Sequence, residues 1–262
     1  MSPLVTIITP CYNAETFIEK TIQSVINQSY KNIQYIIIDG GSSDGTHKIL
    51  EQYKNKVSEI IIEKDDGMYT ALNKGIERSE GEIIAYLNSD DLYFHDTVFN
   101  AVNTFKSNPE IKLIYGDLKV IDWNDEILYD WIYPNFRWQL FVSNNFCTIG
   151  QATSFWRKAV HKKVGLFDNK LKMAGDFDFF AKVGKEFKIL KINRFLACYR
   201  VHQNSLTNKG KLKNEIEIKT IHQKYLDTNV KRSLRLPMAF LQKTIFRILN
   251  YKYVLKKILK ST

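Results

Sequence analysis

Cysteine is scarce in this sequence. Its three cysteines, Cys11, Cys147 and Cys198, are odd in number and lie far apart. They form no CxxC pair and show none of the cysteine and histidine spacings that bind zinc. Neither a disulfide framework nor a structural zinc site is therefore indicated, and we expect a reducing, cytoplasmic environment.

Long apolar runs and the common nucleotide-binding fingerprints are also missing. No stretch of ~18 or more uncharged apolar residues occurs, so we predict no transmembrane helix. The N-terminal residues MSPLVTIITP lack the basic region and the longer apolar segment of a secretory signal. Neither GxGxxG nor the Walker pattern GxxxxGK[ST] is present, which argues against an NAD site and a P-loop.

Acidic residues are absent from Val230 to Thr262, although the same segment contains nine lysines and arginines. It accounts for most of the net charge of +10, and large apolar residues alternate with its charges. This pattern is typical of a basic amphipathic helix that lies on an anionic membrane surface. Two alternatives remain open: a nucleic-acid partner, or a pair of C-terminal helices that pack on the domain and present a solvated basic face.

Hydrophobic residues are abundant by contrast, at 44% of 262 residues, which is enough for one large α/β domain with an appendage. Apolar stretches with strand character alternate with stretches of helical periodicity. The predicted strands are Val5 to Thr9, Ile33 to Asp39, Ile60 to Glu63 and Ile83 to Leu87. The predicted helices are Ala14 to Gln28 with Asn13 as N-cap, one from about Thr46, and Tyr69 to Arg78. The alternation predicts a mostly parallel, doubly wound sheet flanked by helices.

Polar residues follow each of the four predicted strands. In a doubly wound sheet, ligands bind outside the carboxyl ends of the strands, so these residues should converge on one rim. They are Tyr12 and Asn13 after the first strand, Asp39 at the end of the second, Asp65 and Asp66 after the third, and Asp90 and Asp91 after the fourth. A single acidic pair is usually only solvated, but four clusters at successive strand ends favour a shared site.

Several stretches carry a resemblance to a known family. They are VTIITPCYNAETFIEKTIQSVINQ, IIIDGGSSDGT, DDGMYTALNKGI, GEIIAYLNSDD, GQATSFWRKAVHKKVGLFD and AGDFDFFAKV. In this order and spacing they resemble the family 2 glycosyltransferases, which have the GT-A fold, over roughly residues 3 to 205. The resemblance implies an inverting transfer of a hexosyl or N-acetylhexosaminyl group from a nucleotide diphosphate sugar, usually UDP-linked, with a divalent cation on the diphosphate.

Asp90 is the first candidate for a ligand of that cation. Mg²⁺ or Mn²⁺ held by one or two carboxylates stabilises the charge of a diphosphate leaving group and keeps positions open for phosphate oxygens and water. The family's DxD motif has an acid where this chain has Asn88, whose amide can accept from a ribose hydroxyl or coordinate through its oxygen. His202 stands in an Arg-x-His pattern that, in the family, can approach the metal and the diphosphate. Asp91 is either a supporting carboxylate or a helix N-cap.

The resemblance also implies the nucleotide-sugar site. Gly40 follows Asp39 where many members have a second acid, which leaves Asp39 as the contact to the nucleobase or ribose. The implied donor-binding residues are Pro10, Tyr12, Asn13, Asp39, Asp66, Asn73, Asn88, Ser89 and Asp90. Glu15 and Lys74 are less central candidates, and Lys74 could equally be a solvated helix residue.

An inverting reaction needs a general base on the acceptor hydroxyl, and Asp176 and Asp178 in AGDFDFF are the candidates. Flanking phenylalanines supply a partly apolar setting, which raises the pKa of a carboxylate. The family motif implies Asp176 as the base, with Gly175 where an acid is common, and Asp178 near the amides at the helix N-terminus. Both carboxylates could instead cap the helix that runs to Val183. Among the four tryptophans, one could stack on an acceptor or sugar ring.

We therefore predict a GT-A-like domain over residues 1–207 and a basic amphipathic helical extension over 208–262. The expected partners are a nucleotide diphosphate sugar, a glycan or lipid-linked acceptor and an anionic membrane surface, with no nucleic acid. This places the enzyme at the inner face of the cell membrane. The alternatives are a metal-dependent nucleotidyltransferase, for which TPCYNAE lacks a basic triphosphate signature, and a non-catalytic nucleic-acid-binding module, whose phosphates the acidic strand ends would repel.

Overall fold

The computed structural model describes residues 2–143, 147–203, 205, 210–229, 232–251 and 253. The strands are β1 Val5–Cys11, β2 Ile33–Asp39, β3 Glu59–Ile62, β4 Ile83–Tyr86, β5 Leu92–Tyr93, β6 Leu113–Ile121, β7 Ile127–Trp131, β8 Phe155–Arg157 and β9 Ile189–Arg200. The helices are α1 Ile18–Ile26, α2 Thr46–Tyr53, α3 Met68–Arg78, α4 Thr97–Ser107, α5 Trp138–Val142, α6 His161–Val164, α7 Gly175–Glu186, α8 Lys211–Asn229 and α9 Arg232–Leu249.

Across these described residues the strands form one sheet in the order β3-β2-β1-β4-β8-β6-β9-β5, with β7 paired to β6. The first half is parallel as predicted, because β1 pairs in parallel with β2 and β4, and β2 with β3. The second half is mixed: β8 runs antiparallel to β4 and β6, and β7 antiparallel to β6. Only a short turn joins β6 to β7, and so short a connection permits only antiparallel pairing.

The apolar run of β2 is buried on both faces of the sheet. It pairs with β1 along its whole length, from Val5 opposite Ile33 to Cys11 opposite Asp39. Alternate residues point to opposite faces, so Ile36 packs in one core cluster and Ile37 in the other. Both are fully buried, and each such side chain contributes roughly 1.5–3 kcal/mol to folding. The register thereby places Asp39 at the carboxyl edge of the sheet.

Pro10 lies in β1, which is a central strand. A proline lacks the amide hydrogen that a ladder needs and is normally confined to strand edges. Here β4 pairs with β1 only from Val5 to Ile8, so Pro10 lies beyond the end of that pairing. The early end of β4 opens the cleft that Pro10 lines.

The C-terminal helices pack on the domain. Ile218, Ile221 and Tyr225 of α8 are buried in the core cluster that contains Phe177 of α7. After α9, the side chain of Asn250 donates to the carbonyl of Ile132 (2.9 Å) and accepts from its amide (2.8 Å). For the described residues this is the packed arrangement that the sequence left open as an alternative.

One surface of the C-terminal segment is nevertheless exposed and apolar. Within the described helices, none is long and apolar enough to cross a membrane. Basic side chains at Lys243 and Arg247 are exposed on the same segment. The exposed large apolar residues there are Phe240, Leu241, Ile248 and Tyr251.

Candidate active site

A cleft of about 990 Å³ opens at the carboxyl ends of β1 and β4. It gathers side chains that lie far apart in the sequence, as the strand-end pattern predicted. Among the candidate residues, Pro10, Tyr12, Asn13, Asp66, Asn88, Ser89, Asp90 and His202 line it. The cleft is large enough for a nucleotide sugar.

Asp90 and His202 meet in this cleft. The Nε2 atom of His202 lies 2.9 Å from Oδ2 of Asp90, and both side chains are largely shielded from solvent. The end of β9 is anchored here, because the side chain of Arg200 donates through Nε to the carbonyl of Asp90 at 2.9 Å. The end of β9, two residues before His202, is thus fixed against the loop that carries Asp90.

This pair fits a divalent cation of the kind that takes few protein ligands. Mg²⁺ and Mn²⁺ sites on phosphate substrates use one or two carboxylates and leave the other positions to phosphate and water. Among the described residues there is no cluster of three or more His, Cys, Asp or Glu side chains, so an all-protein cage is not formed there. The buried Oδ1 of Asn88, which lines the same cleft, has no hydrogen-bond partner within the described residues.

Asp39 is fully buried, and neighbouring residues form hydrogen bonds to both of its side-chain oxygens. It accepts hydrogen bonds from the amides of Gly41 (2.9 Å) and Ser42 (2.7 Å) and from the Ser42 hydroxyl (2.6 Å), and His47 lies 3.0 Å away. Burial by itself would raise the pKa of Asp39, but these hydrogen bonds outweigh burial and hold the pKa below its ordinary value. The carboxylate shapes the 40–46 loop, and its contact to the nucleobase or ribose stays a prediction.

Asn13 does not cap α1, contrary to the prediction. The helix begins four residues later than expected, at Ile18, and Phe17 occupies the N-cap position. Asn13 adopts a φ of 49° and accepts a hydrogen bond from the Ser43 amide at 2.8 Å. Glu15 accepts from the Gly45 amide at 2.6 Å. Both side chains join the turn after β1 to the 40–46 loop, because the unpaired amides of that loop compete successfully for them.

Asn73 and Lys74 point away from the cleft. Both amide atoms of Asn73 bond the backbone of Phe167, at 2.8 Å and 3.0 Å. Lys74 forms an ion pair with Glu63 at 3.1 Å. Asn73 therefore fastens α3 to the segment after α6, and a direct contact of either residue with the donor stays a prediction.

Asp91 is buried beneath the cleft and supports it. Its Oδ1 accepts a hydrogen bond from the backbone amide of Arg200 at 2.9 Å. Burial, and then the neighbouring charge of Asp90, raise the pKa of Asp91 well above its ordinary value. The N-cap alternative is wrong, because β5 follows directly and α4 begins only at Thr97.

A second cavity of about 340 Å³ adjoins the cleft, and Met68, Asn88 and Tyr199 line both. Its wall is rich in aromatic side chains, and Asp176 faces it. Of the four tryptophans, Trp131 is the one that lines this cavity. The other aromatic residues of the wall are Tyr69, Tyr86, Tyr129, Tyr133, Phe177 and Tyr199.

Asp176 lies in the first turn of α7 and has the properties of a base. Its Oδ1 accepts from the amide of Phe177 at 2.8 Å, and the Tyr69 hydroxyl lies 3.5 Å away. Burial raises the pKa of Asp176 to about 6, although the amide hydrogen bonds oppose the rise. A β-carbon at Gly175 would lie 2.7 Å from the Tyr69 ring, which explains why no acid stands there.

Asp178 faces the opposite side of α7. It is buried and pairs with Lys182 at 2.6 Å, while Lys224 lies 3.4 Å and the Tyr225 hydroxyl 3.2 Å from its Oδ1. The predicted interaction with the amides at the helix N-terminus is replaced by contacts with Lys182 of α7 and with two donors of α8, Lys224 and Tyr225. The structure thus separates the two carboxylates into different surroundings.

Two residues of the site were missed from the sequence. Glu217 of α8 accepts hydrogen bonds from the amides of Lys172, Met173 and Ala174, which precede Asp176. Gln151 accepts from the Asn88 side chain at 3.1 Å and donates to the carbonyl of Tyr86 at 2.9 Å. Gln151 lies in the quoted stretch GQATSFWRKAVHKKVGLFD but was given no role, and Glu217 lies outside every quoted stretch. No spacing in the sequence signals contacts of such long range.

A family model for glycosyl transferase family 2 matches residues 6–165. The chain belongs to glycosyltransferase family 2. The matched range contains the whole parallel half of the sheet and the Asp90 loop, but it ends before Asp176 and Glu217.

Three curated relatives of this family 2 chain come from bacteria. An uncharacterized glycosyltransferase of Rickettsia typhi is 31% identical over 215 residues, which cover 79% of this chain and 67% of the relative. TuaG of Bacillus subtilis, a putative teichuronic acid biosynthesis glycosyltransferase, is 42% identical over 97 residues, which cover 36% of this chain and 38% of TuaG. WfgD of Escherichia coli, named as a UDP-Glc:alpha-D-GlcNAc-diphosphoundecaprenol beta-1,3-glucosyltransferase, is 29% identical over 78% of this chain and 80% of WfgD.

Solved structures confirm the GT-A fold of this family 2 chain. S. aureus TarS 1-349 in complex with UDP-GlcNAc matches with a TM-score of 0.71 and 17% identity, over 91% of this chain and 71% of that one. The mannosyltransferase PcManGT of Pyrobaculum calidifontis, in complex with GDP-Man and Mn²⁺, matches with a TM-score of 0.67 and 16% identity, over 95% and 71%. The nucleotidyltransferase and nucleic-acid-binding alternatives are not retained for a member of a glycosyltransferase family.

Proposed function

We propose that this glycosyltransferase transfers a hexosyl or N-acetylhexosaminyl group, with inversion, from a UDP-linked sugar to a hydroxyl of a growing surface polysaccharide or lipid-linked glycan. One observation carries the proposal: a carboxylate with a pKa of about 6, Asp176, faces a cavity that adjoins the Asp90 and His202 cleft. The name of WfgD, which includes both UDP-Glc and a lipid diphosphate acceptor, and the TarS complex with UDP-GlcNAc support the donor and acceptor classes.

The larger cleft binds the nucleotide diphosphate sugar in this proposal. Asp90 and His202 hold a divalent cation, Mn²⁺ or Mg²⁺, and Asn88 offers its free oxygen to the cation or to a ribose hydroxyl. When bound, the cation neutralises the negative charge that develops on the diphosphate leaving group. Pro10, Tyr12, Asn13, Asp66 and Ser89 line the rest of the cleft.

Asp176 acts as the general base. Its carboxylate takes the proton from the acceptor hydroxyl while that oxygen attacks the anomeric carbon on the face opposite the diphosphate, which inverts the configuration. A pKa of about 6 leaves the group ionised at neutral pH and keeps it more basic than an ordinary aspartate. The Phe177 amide and the Tyr69 hydroxyl hold the carboxyl oxygen in place.

The smaller cavity receives the acceptor. Its aromatic wall suits the apolar face of a sugar ring, with Trp131 as the tryptophan placed to stack on it. The exposed apolar residues near Lys243 and Arg247 support a peripheral position on an anionic membrane, where a lipid-linked acceptor is found.

Release of nucleoside diphosphate tests this function. Purified protein is incubated with a panel of UDP-, GDP- and dTDP-sugars, with Mg²⁺, with Mn²⁺ or with EDTA. We expect metal-dependent release with UDP-sugars that stops in EDTA, and a product whose anomeric configuration, read by NMR, is inverted relative to the donor. Release from no donor, or a product of retained configuration, contradicts the proposal.

A further inference from the structure

Glu217 lies on α8, outside the matched family range, yet its carboxylate reaches the loop that precedes Asp176. Its Oε2 atom accepts from the amides of Lys172 (3.1 Å), Met173 (2.8 Å) and Ala174 (2.9 Å), and its Oε1 accepts from Lys172 at 2.9 Å. The side chain is buried, so the hydrogen bonds are shielded from water. Hydrogen bonds to a charged carboxylate contribute more to stability than bonds between neutral groups.

These amides sit immediately before the first turn of α7, where a helix leaves its amides without partners inside the helix. Because Asp176 is the second residue of α7, the position of its carboxyl group follows the position of this loop. The contact is reciprocal, since Asp178 of α7 is bonded by Lys224 and Tyr225 of α8. The two helices are therefore locked together at both ends of the segment that carries the base.

We propose that Glu217 is a positioning residue of the transferase: it fixes the loop before α7 and places a negative charge behind Asp176 that keeps this base strong. The inference rests on the proposed function of Asp176.

Glu217 is the carboxylate that faces Asp176 from another helix within the described residues, and its charge raises the pKa of Asp176 in addition to the larger effect of burial. The other groups that face Asp176 are neutral near pH 7, because tyrosine and cysteine ionise only above that pH and burial raises their pKa values further. They are Tyr69, Tyr86, Tyr133 and Cys147. Lys172 also lines the cavity, but its Nζ donates to the carbonyls of Asp66 and Asn169. On α7 itself, Asp178 is paired with Lys182.

Two substitutions separate the effect of the Glu217 charge from the effect of its hydrogen bonds to the loop amides. Glu217→Gln keeps the length and removes the charge, so the acid limb of the pH profile for transfer is expected to move to lower pH. Glu217→Asp keeps the charge, but its shorter side chain does not extend to the amides. The acid limb of the pH profile is therefore expected to stay in place while kcat falls by about tenfold or more. Glu215→Gln is the matched control on the exposed face of α8 and is expected to change neither.

A titration of the Asp176 carboxyl by NMR in ¹³C-labelled protein gives the same comparison without activity, and so separates this inference from the proposed function. Wild-type protein that releases no nucleoside diphosphate would count against the proposed function, whereas an unchanged Asp176 pKa in Glu217→Gln would count against the inference. An equal shift of the Asp176 pKa in Glu217→Asp would also overturn the inference, since the shift would then come from a loosened loop and not from the lost charge. Loss of folded protein in both variants would assign Glu217 to stability alone and overturn the proposal.

Discussion

At the scale of single residues, the Asp90 and His202 pair brings together two side chains 112 positions apart in the sequence. Asp90→Ala is expected to abolish metal-dependent binding of the donor, because it removes the carboxylate that is proposed to hold the cation. Asp90 lies on a partly exposed loop. The fold should persist, since the Asp90 side chain is 26% exposed and is not part of the core.

Isothermal calorimetry with a UDP-sugar and Mn²⁺ measures this effect. Asp96→Ala is the matched control, because Asp96 is an exposed aspartate away from the cleft. Donor affinity at the wild-type level in Asp90→Ala would remove Asp90 from the metal site.

Asp176 provides a prediction on rate and one on pH. Asp176→Asn keeps the shape but cannot accept the proton, so transfer is expected to fall by ~10² or more while donor affinity survives. In the wild type the base works in its ionised form, so kcat/KM is expected to fall as the pH drops through about 6. Steady-state rates between pH 4.5 and about 8 measure the loss of rate and its pH dependence. Asp176→Asn should also remove the fall of kcat/KM at acid pH. A near-normal rate for Asp176→Asn would assign the base to another residue.

The sequence predicted which residues meet, but it did not predict how their polar atoms are used. The strand-end pattern was sufficient to bring Tyr12, Asn13 and Asp90 to one cleft, because parallel strands end at one edge. His202 was predicted only from the resemblance to the family. The strand-end pattern could not reveal that the Asp39 carboxylate is hydrogen-bonded within its own loop or that Asn73 bonds the backbone of Phe167. Such partners depend on the three-dimensional course of loops, which carry no periodicity in the sequence.

At the scale of elements, the contact of Gly175 with Tyr69 joins α7 to α3. Gly175→Ala places a β-carbon about 2.7 Å from the Tyr69 ring, so the ring or the helix must move. We expect a loss of roughly 1–3 kcal/mol in the free energy of unfolding, measured by urea denaturation. The same substitution in a Tyr69→Ala background should cost less, and an equal cost in both backgrounds would show that the ring is not the cause.

Strand boundaries followed the apolar periodicity closely in the parallel half of the chain, whereas α1 begins four residues later than predicted. The predicted strand from Ile33 to Asp39 is confirmed without change, and α3 begins one residue before its predicted start. The mixed pairing of the second half was not predicted, since β6, β7 and β8 are joined without regular helical crossovers. Strands β5 and β8 have only two and three residues, which is too few to show the alternation of apolar and polar residues that marks a strand.

At the scale of the whole molecule, the C-terminal segment presents both a packed face and an exposed basic face. Reversal of two exposed charges, Lys243→Glu with Arg247→Glu, is expected to weaken binding to anionic liposomes by roughly 30-fold or more, because each basic residue contributes about 1 kcal/mol. Co-sedimentation at low salt measures the change. Lys31→Glu with Lys48→Glu is the matched control on the opposite half of the chain.

Charge reversal is preferable to deletion after Asn229. Deletion would remove Phe246, whose ring lies 5.0 Å from that of Trp131, and Asn250, which holds Ile132. The variant would then lose the proposed membrane contact and the support of the aromatic wall together. Unchanged liposome binding after charge reversal would leave the basic face with no role in attachment.

The bond between Asn250 and Ile132 spans 118 positions of the chain. A ribosome releases the N-terminal half first, and that half can form the parallel sheet, but the donor cleft also needs Tyr199 and His202, which are made later. The supports of the base and of the aromatic wall, Glu217 and Asn250, emerge only later. A nascent chain would therefore have neither a complete donor cleft nor a supported base until the segment that follows β9 has been made, so the order of synthesis itself delays the consumption of activated sugar.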